Sequence, residues 1–290
     1  HKITVITRED STSQLPTGVE VKKVNYDDSS SLVEALKGQE VLIITMAVTA
    51  SKEQQTKLID AAAAANVPWI LPNEFGGDPT ELEMQKDTML GEQKAKYREH
   101  IEQLGKSSWI GIICNFWYEF SLAGSSSRYG FDFENRSVTL FDDGNTRINT
   151  STWPQTGRAV AKLLSLKILP VDANDKSASL SDFKNKFVYI SSFNISQRDM
   201  LDSVLRVTGT TLADWKVSYE PVKERYQSGV EEFRNGNMLG FAKLLYARMF
   251  YPDNSGNYEI TKGLHNDILG LPKENLDEYT NIAVEMAKSA

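Results

Sequence analysis

The sequence predicts an α/β protein: a doubly wound parallel sheet followed by a smaller α+β region. Three observations carry this. Strand-like and helix-like stretches alternate through the first 120 residues, the order that builds a parallel sheet with helical crossovers. Residues 40–46 (EVLIITM) are almost unbrokenly apolar, as a strand covered on both faces must be. Beyond residue 120 the alternation gives way to strands and helices in irregular order.

Taken in order, residues 2–7 (KITVIT) read as a strand and 19–26 (VEVKKVNY) as a second. Residues 30–38 (SSLVEALKG) form a short helix closed by Gly38. After the strand at 40–46 comes a strong helix over 51–66, with Ser51 as N-cap and Asn66 at its end. Residues 67–71 (VPWIL) are a strand, 86–105 a helix and 108–116 (SWIGIICNF) another buried strand. In the second half, residues 137–153 predict strand, a turn at Asp143, Gly144 and Asn145, then strand. A helix follows Pro154 over 155–166, a strand covers 186–192, and a helix over 196–209 is capped by Ser196. Residues 221–251 read as helix interrupted at 235–237, and 271–288 as a last helix with Pro272 near its start. The expected division is residues 1–120 as the main domain and 121–290 as the smaller region, with strands of the latter able to return to the main sheet.

Composition narrows the function. The 290 residues are 40% hydrophobic and carry a net charge of -7. No stretch collects Lys and Arg without acids beside them, so a nucleic-acid partner is not expected. The single cysteine, Cys114, rules out an internal disulfide framework and suits a cytoplasmic protein. His1, His100 and His265 share no ligand spacing with Cys114, so no metal is expected. No apolar run reaches the ~20 residues of a membrane helix. The sequence allows a homodimer.

In a sheet of this kind ligands lie outside the carboxyl ends of the strands. In a dinucleotide-binding, Rossmann-like sheet the second strand ends at the adenine ribose, where an acid holds a 2′-OH and an arginine a 2′-phosphate. Thr7 and Arg8 stand at the end of the first strand here, with Glu9 and Asp10 after them. If that strand is the second of such a sheet, Arg8 selects NADPH, and the first β-α unit with its glycine-rich phosphate loop is missing from the sequence. On that reading 1–290 would bind dinucleotide poorly. The plain alternative is a solvated charged turn.

The helix over 86–105 carries a second signal. Leu90, Tyr97, Ile101 and Leu104 form an apolar stripe, and the position that completes the spacing is Lys94. A lysine in such a stripe must be paired, snorkel or face a polar pocket. Arg98, one turn on, is a like charge that would push its pKa down. Lys94 is therefore a candidate general acid or base. The alternative is a lysine at the stripe's edge with its ammonium in water.

Several segments together resemble the NmrA-like and isoflavone reductase-like proteins, atypical short-chain dehydrogenase/reductases. KAKYREHIE resembles that family's lysine-bearing helix. WILPNEFGGD resembles its proline-serine-glutamate-phenylalanine-glycine segment, with Asn73 where serine is usual. ICNFWYEF, VITRED and QTKLIDAAAAANV resemble its strand-end, arginine-turn and helix segments, and the tail is most like fungal members. The resemblance implies an NADPH-dependent reductase of a small apolar substrate, aromatic or conjugated, with Lys94 catalytic. It implies cofactor contacts from Thr7, Arg8, Met46, Gln55, Pro72, Asn73, Glu74, Phe75, Asn115 and Phe116. Trp117, Tyr118, Phe120 and Trp153 are the candidate substrate pocket, with ordinary core aromatics as their alternative. No Tyr-x-x-x-Lys pair stands at the expected place, which suits a lysine-only mechanism. The rival function is a non-catalytic NAD(P)-sensing regulator acting through a protein partner.

Overall fold

A computed structural model describes residues 1–47 and 50–289. It places strands β1 (Thr4–Arg8), β2 (Glu20–Val24), β3 (Val41–Ile43), β4 (Trp69–Leu71) and β5 (Ser108–Ile113) where the alternation predicts them. Between them lie α1 (Ser29–Leu36), α2 (Lys52–Ala64), α3 (Leu82–Thr88) and α4 (Gly91–Leu104). Val48 falls outside the described residues.

The remaining elements are β6 (Phe116–Trp117), α5 (Tyr118–Leu122), β7 (Phe131–Asp132), β8 (Ser137–Phe141), β9 (Arg147–Ser151), α6 (Trp153–Leu164), β10 (Lys186–Tyr189) and β11 (Phe193–Ser196). They are followed by α7 (Gln197–Thr208), β12 (Lys216–Glu220), α8 (Val222–Arg234), α9 (Met238–Met249), α10 (Tyr258–Lys262) and α11 (Leu276–Lys288).

The chain divides into two compact units. One comprises residues 1–74, 92–111 and 183–187, the other 75–91, 112–182 and 188–290. In the first unit, β1 and β2 pair in parallel from Thr4 opposite Glu20 to Arg8 opposite Val24. A second sheet runs in the order β10-β5-β4-β3, and β3, β4 and β5 are parallel to one another. Ser51 caps α2 by accepting from the Glu53 amide, and α2 buries Leu58, Ile59, Ala61 and Ala62. These pack with Leu32, Leu36, Ile70, Tyr97 and Ile101 into one core. The parallel sheets with their intervening helices are the predicted α/β architecture.

The second unit contains two three-stranded sheets, β11-β9-β6 and β12-β8-β7. Its core joins Tyr118, Tyr129, Phe131, Leu140, Ile148, Met200 and Phe250. Helices α8 and α9 approach closely through two glycines. A Cβ on Gly229 would lie 2.6 Å from the Leu244 nitrogen, and one on Gly240 would lie 2.7 Å from the Gly229 carbonyl oxygen.

Four expectations are corrected. The helix over 86–105 is two helices, because Met89 adopts a left-handed conformation (φ 59°) between α3 and α4. The strands flanking the turn at 143–145 do not pair: β8 pairs in parallel with β12 and β9 pairs with β11. Asp142 ties that turn to the end of β12, donating to the Glu220 carbonyl and accepting from the Val222 amide, both at 2.9 Å. The strand over 186–192 stops at Tyr189, and a separate strand, β11, begins at Phe193. The last helix starts at Leu276 under an Asn275 cap, leaving Pro272 in the preceding loop.

Candidate functional site

In the first unit the carboxyl end of β1 presents a half-buried Thr7 and an exposed Arg8. The Arg8 side chain is 68% exposed, and its Nε lies 3.6 Å from Asp10. So open an ion pair is worth little, and its release costs little when an anion arrives. At the ends of the adjoining parallel strands, the Asn73 amide donates to the Met46 carbonyl at 2.9 Å. Two of the predicted cofactor residues are thus joined directly. Pro72 beside them and Gln55 on α2 are buried.

Helix α4 carries Lys94 half-buried, one turn before Arg98. Arg98 is not a bare charge. Its guanidinium pairs with Glu74, which is 2% exposed. The cation also lies 5.5 Å from the Trp109 ring and 5.1 Å from that of Phe187, so two aromatic faces support it. Glu74 Oε2 is buried without a hydrogen-bond partner. Burial pushes the Glu74 carboxyl above its ordinary range, against the pull of Arg98 and then of Lys94. Gly111 keeps the space beside it open: a Cβ there would lie 3.4 Å from Oε2 and 2.6 Å from the Phe187 ring.

In the second unit Asn115 ends the run of β5. Its φ of 53° is left-handed, a conformation asparagine tolerates better than most residues. Its amide N–H and that of Cys114 both donate to the Gly76 carbonyl, at 3.0 and 3.2 Å. The Asn115 side chain, 2% exposed, donates through Nδ2 to the Gly256 carbonyl at 3.3 Å, and its Oδ1 is buried without a partner. Phe116 stacks on Tyr246 at 3.9 Å between ring centres. Phe75 is half-buried.

Three of the four predicted pocket aromatics come together. Trp117, Phe120 and Trp153 form a triangle with centroid separations of 6.3, 6.2 and 5.9 Å. Phe120 is 37% and Trp153 42% exposed, and Arg128 lies over the Phe120 ring at 3.8 Å. Tyr118 does not join them. It is fully buried, and its hydroxyl bonds Thr280 at 2.6 Å, so it packs as a core residue. Sequence reasoning missed Glu119, which is 2% exposed and accepts from the Trp153 amide at 2.9 Å. Burial raises its pKa. A lone carboxylate inside FWYEFSL was the available signal. Among the described residues no group of His, Cys, Asp and Glu could hold a metal, and no helix is long and apolar enough to cross a membrane.

This geometry can be set against known proteins. Residues 1–129 match the model of the NmrA-like family. Over those residues the chain resembles that family. It is 28% identical over 282 residues to Oxidoreductase aprR of Aspergillus flavus, covering 95% of this chain and 88% of that protein. Its fold is similar to that of isoflavone reductase, with a TM-score of 0.69, 20% identity and coverage of 96% and 90% of the two chains. It is also similar to AtPrR2 solved with NADP+ and (+)pinoresinol, with a TM-score of 0.64, 18% identity and coverage of 91% and 82%. The chain carries the Rossmann-like α/β fold of these structural neighbours.

Proposed function

We propose that this chain is an NADPH-dependent reductase of a small aromatic or conjugated substrate. The similarity to an Aspergillus flavus oxidoreductase supports turnover over sensing. The likeness in fold to isoflavone reductase and to a protein solved with NADP+ and pinoresinol supports the cofactor and the aromatic class of substrate. The observation that carries the reading is Lys94 on α4 beside a buried, paired Glu74 and Arg98, an electrostatic setting built at some cost in burial.

The residues of the first unit fit a nicotinamide dinucleotide at its ribose end. Arg8 is exposed and weakly engaged, as a clamp for a 2′-phosphate should be. Thr7, Met46, Gln55, Pro72 and Asn73 of the first unit would line the cofactor. When bound, the cofactor supplies a hydride. Lys94 would supply or steer the proton that balances it. Trp117, Phe120 and Trp153 would take the flat apolar body of the substrate, with ring stacking as the attraction.

The test is to titrate NADPH and NADH by fluorescence, then follow NADPH consumption against a panel of enones and quinones. Preference for NADPH with consumption by a panel member supports the reading. Tight binding with no consumption across the panel would favour a sensing regulator.

A further inference from the structure

We propose that Glu74 is the positioning residue for Lys94: Arg98 fixes Oε1 of the carboxylate, and Oε2 receives the Lys94 ammonium. The inference rests on the reading of Lys94 as the proton-handling residue, but its test does not.

The first ground is the unsatisfied oxygen. A carboxylate offers about four acceptor positions, and burying one oxygen unmet costs on the order of 1–3 kcal/mol. Glu74 is 2% exposed, and only Oε1 is engaged by Arg98. The second ground is helix geometry. Residues four apart stand on one face with their Cβ atoms roughly 5–6 Å apart. Lys94 and Arg98 are such a pair on α4, so a carboxylate that meets one is within the four-carbon reach of the other.

The third ground is what surrounds the carboxylate. β5 contributes Gly111 and Trp109, and the adjoining strand contributes Phe187, none of them charged. The charges acting on Glu74 come from Arg98 and Lys94, both on α4. Glu74 also begins from a fixed backbone, since its amide donates to the Pro72 carbonyl at 2.6 Å. The cluster then has a simple division of labour. Arg98, held between two rings, orients the carboxylate. The carboxylate offsets the Arg98 charge that would otherwise repel the ammonium, and aims it.

The experiment is competitive acetylation of lysines at pH 8 with acetic anhydride, read by mass spectrometry. Below the amine's midpoint the labelling rate follows the fraction of unprotonated amine, so a one-unit fall in that midpoint is about a tenfold gain in rate. Lys96, exposed and paired with Glu92, is the internal standard. Glu74→Gln keeps the shape and removes the charge. It should speed labelling of Lys94 about tenfold or more against Lys96. Arg98→Met should leave Lys94 labelling unchanged or slower, because the carboxylate remains and the like charge is gone. Opposite responses support the assignment. Faster labelling in both variants would mean that Glu74 only props α4, and no change in either would mean that Oε2 is met by water; both overturn it. If neither variant folds, a pH series on the unmodified protein decides: a Lys94 midpoint above that of Nα-acetyl-lysine amide supports the pairing, and one at or below it refutes it. NADPH turnover measured on Glu74→Gln reports separately on the reductase reading. Altered labelling with unaltered turnover would leave Glu74 as Lys94's partner and remove Lys94 from the chemistry.

Discussion

The Asn73 side chain donates to the Met46 carbonyl at 2.9 Å, tying the loop after β4 to the loop after β3. The two strands are parallel neighbours, so this bond closes the carboxyl edge of the sheet at the place where ligands of such sheets lie. Asn73→Ala removes the donor and leaves a half-buried carbonyl unmet. It should cost about 0.5–1.5 kcal/mol in urea unfolding at unchanged m-value. A null result would mean that water replaces the amide without loss.

Arg8 should set cofactor choice. It stands at the end of β1 with an exposed side chain whose Nε lies 3.6 Å from Asp10. A charge-assisted contact to a 2′-phosphate is worth roughly 1.5–3 kcal/mol. Arg8→Ala should therefore weaken NADPH by about 10- to 100-fold and leave NADH unchanged. Equal losses for the two would show that Arg8 is a solvated turn residue.

Arg98→Met should be strongly destabilising. It leaves the Glu74 carboxylate buried without its paired guanidinium, a change that typically costs about 3–5 kcal/mol. The double variant Arg98→Met with Glu74→Gln removes both charges and should recover part of that loss. Guanidinium unfolding of the four proteins gives the coupling; strictly additive effects would mean that the two residues act independently.

His265 should make stability fall in mild acid. Its Nδ1 accepts from the Tyr189 amide at 3.0 Å, a bond that the neutral ring alone can make. Burial holds its pKa below the ordinary histidine value. A depressed folded pKa means that the unfolded chain binds the proton first. The contribution is present above the unfolded pKa of about 6.5 and is lost as pH falls through the folded value. Melting temperature should drop between pH 7.5 and pH 5.5, and drop less in His265→Gln. An identical pH response of the two would place the acid sensitivity elsewhere.

What the sequence made legible was local. The apolar run EVLIITM, the Ser51 and Ser196 caps and the stripe around Lys94 each encode their own element, and each element formed there. What escaped was set by partners distant in the chain. β12 reads KVSYE, an open pattern that becomes a strand through parallel pairing with β8, about eighty positions earlier. Met89 itself takes the left-handed turn that breaks the helix, and Gly91 only opens the next one. Tyr118 lies in the aromatic run of Trp117 and Phe120, but α5 turns it to the core and Thr280. Spacing places Arg98 one turn from Lys94, but its neutralising partner Glu74, twenty-four residues away, could not be found by spacing.

Lys94 carries the last prediction. α4 holds it half-buried, and its own turn of helix carries Arg98, whose charge faces Glu74. Were Lys94 a snorkelling residue alone, its removal would change activity little, because only a solvated charge would be lost. If it supplies or steers the proton, the loss should fall on the chemical step and not on cofactor binding. Lys94→Ala should then leave NADPH affinity nearly intact and cut turnover by on the order of 10²–10⁴. Lys94→Met keeps the stem length and its apolar packing, so it separates charge from shape. The two variants should be equally slow if charge is what matters. A Lys94→Met enzyme with unaltered kcat, measured with whichever acceptor the panel identifies, would take Lys94 out of the mechanism.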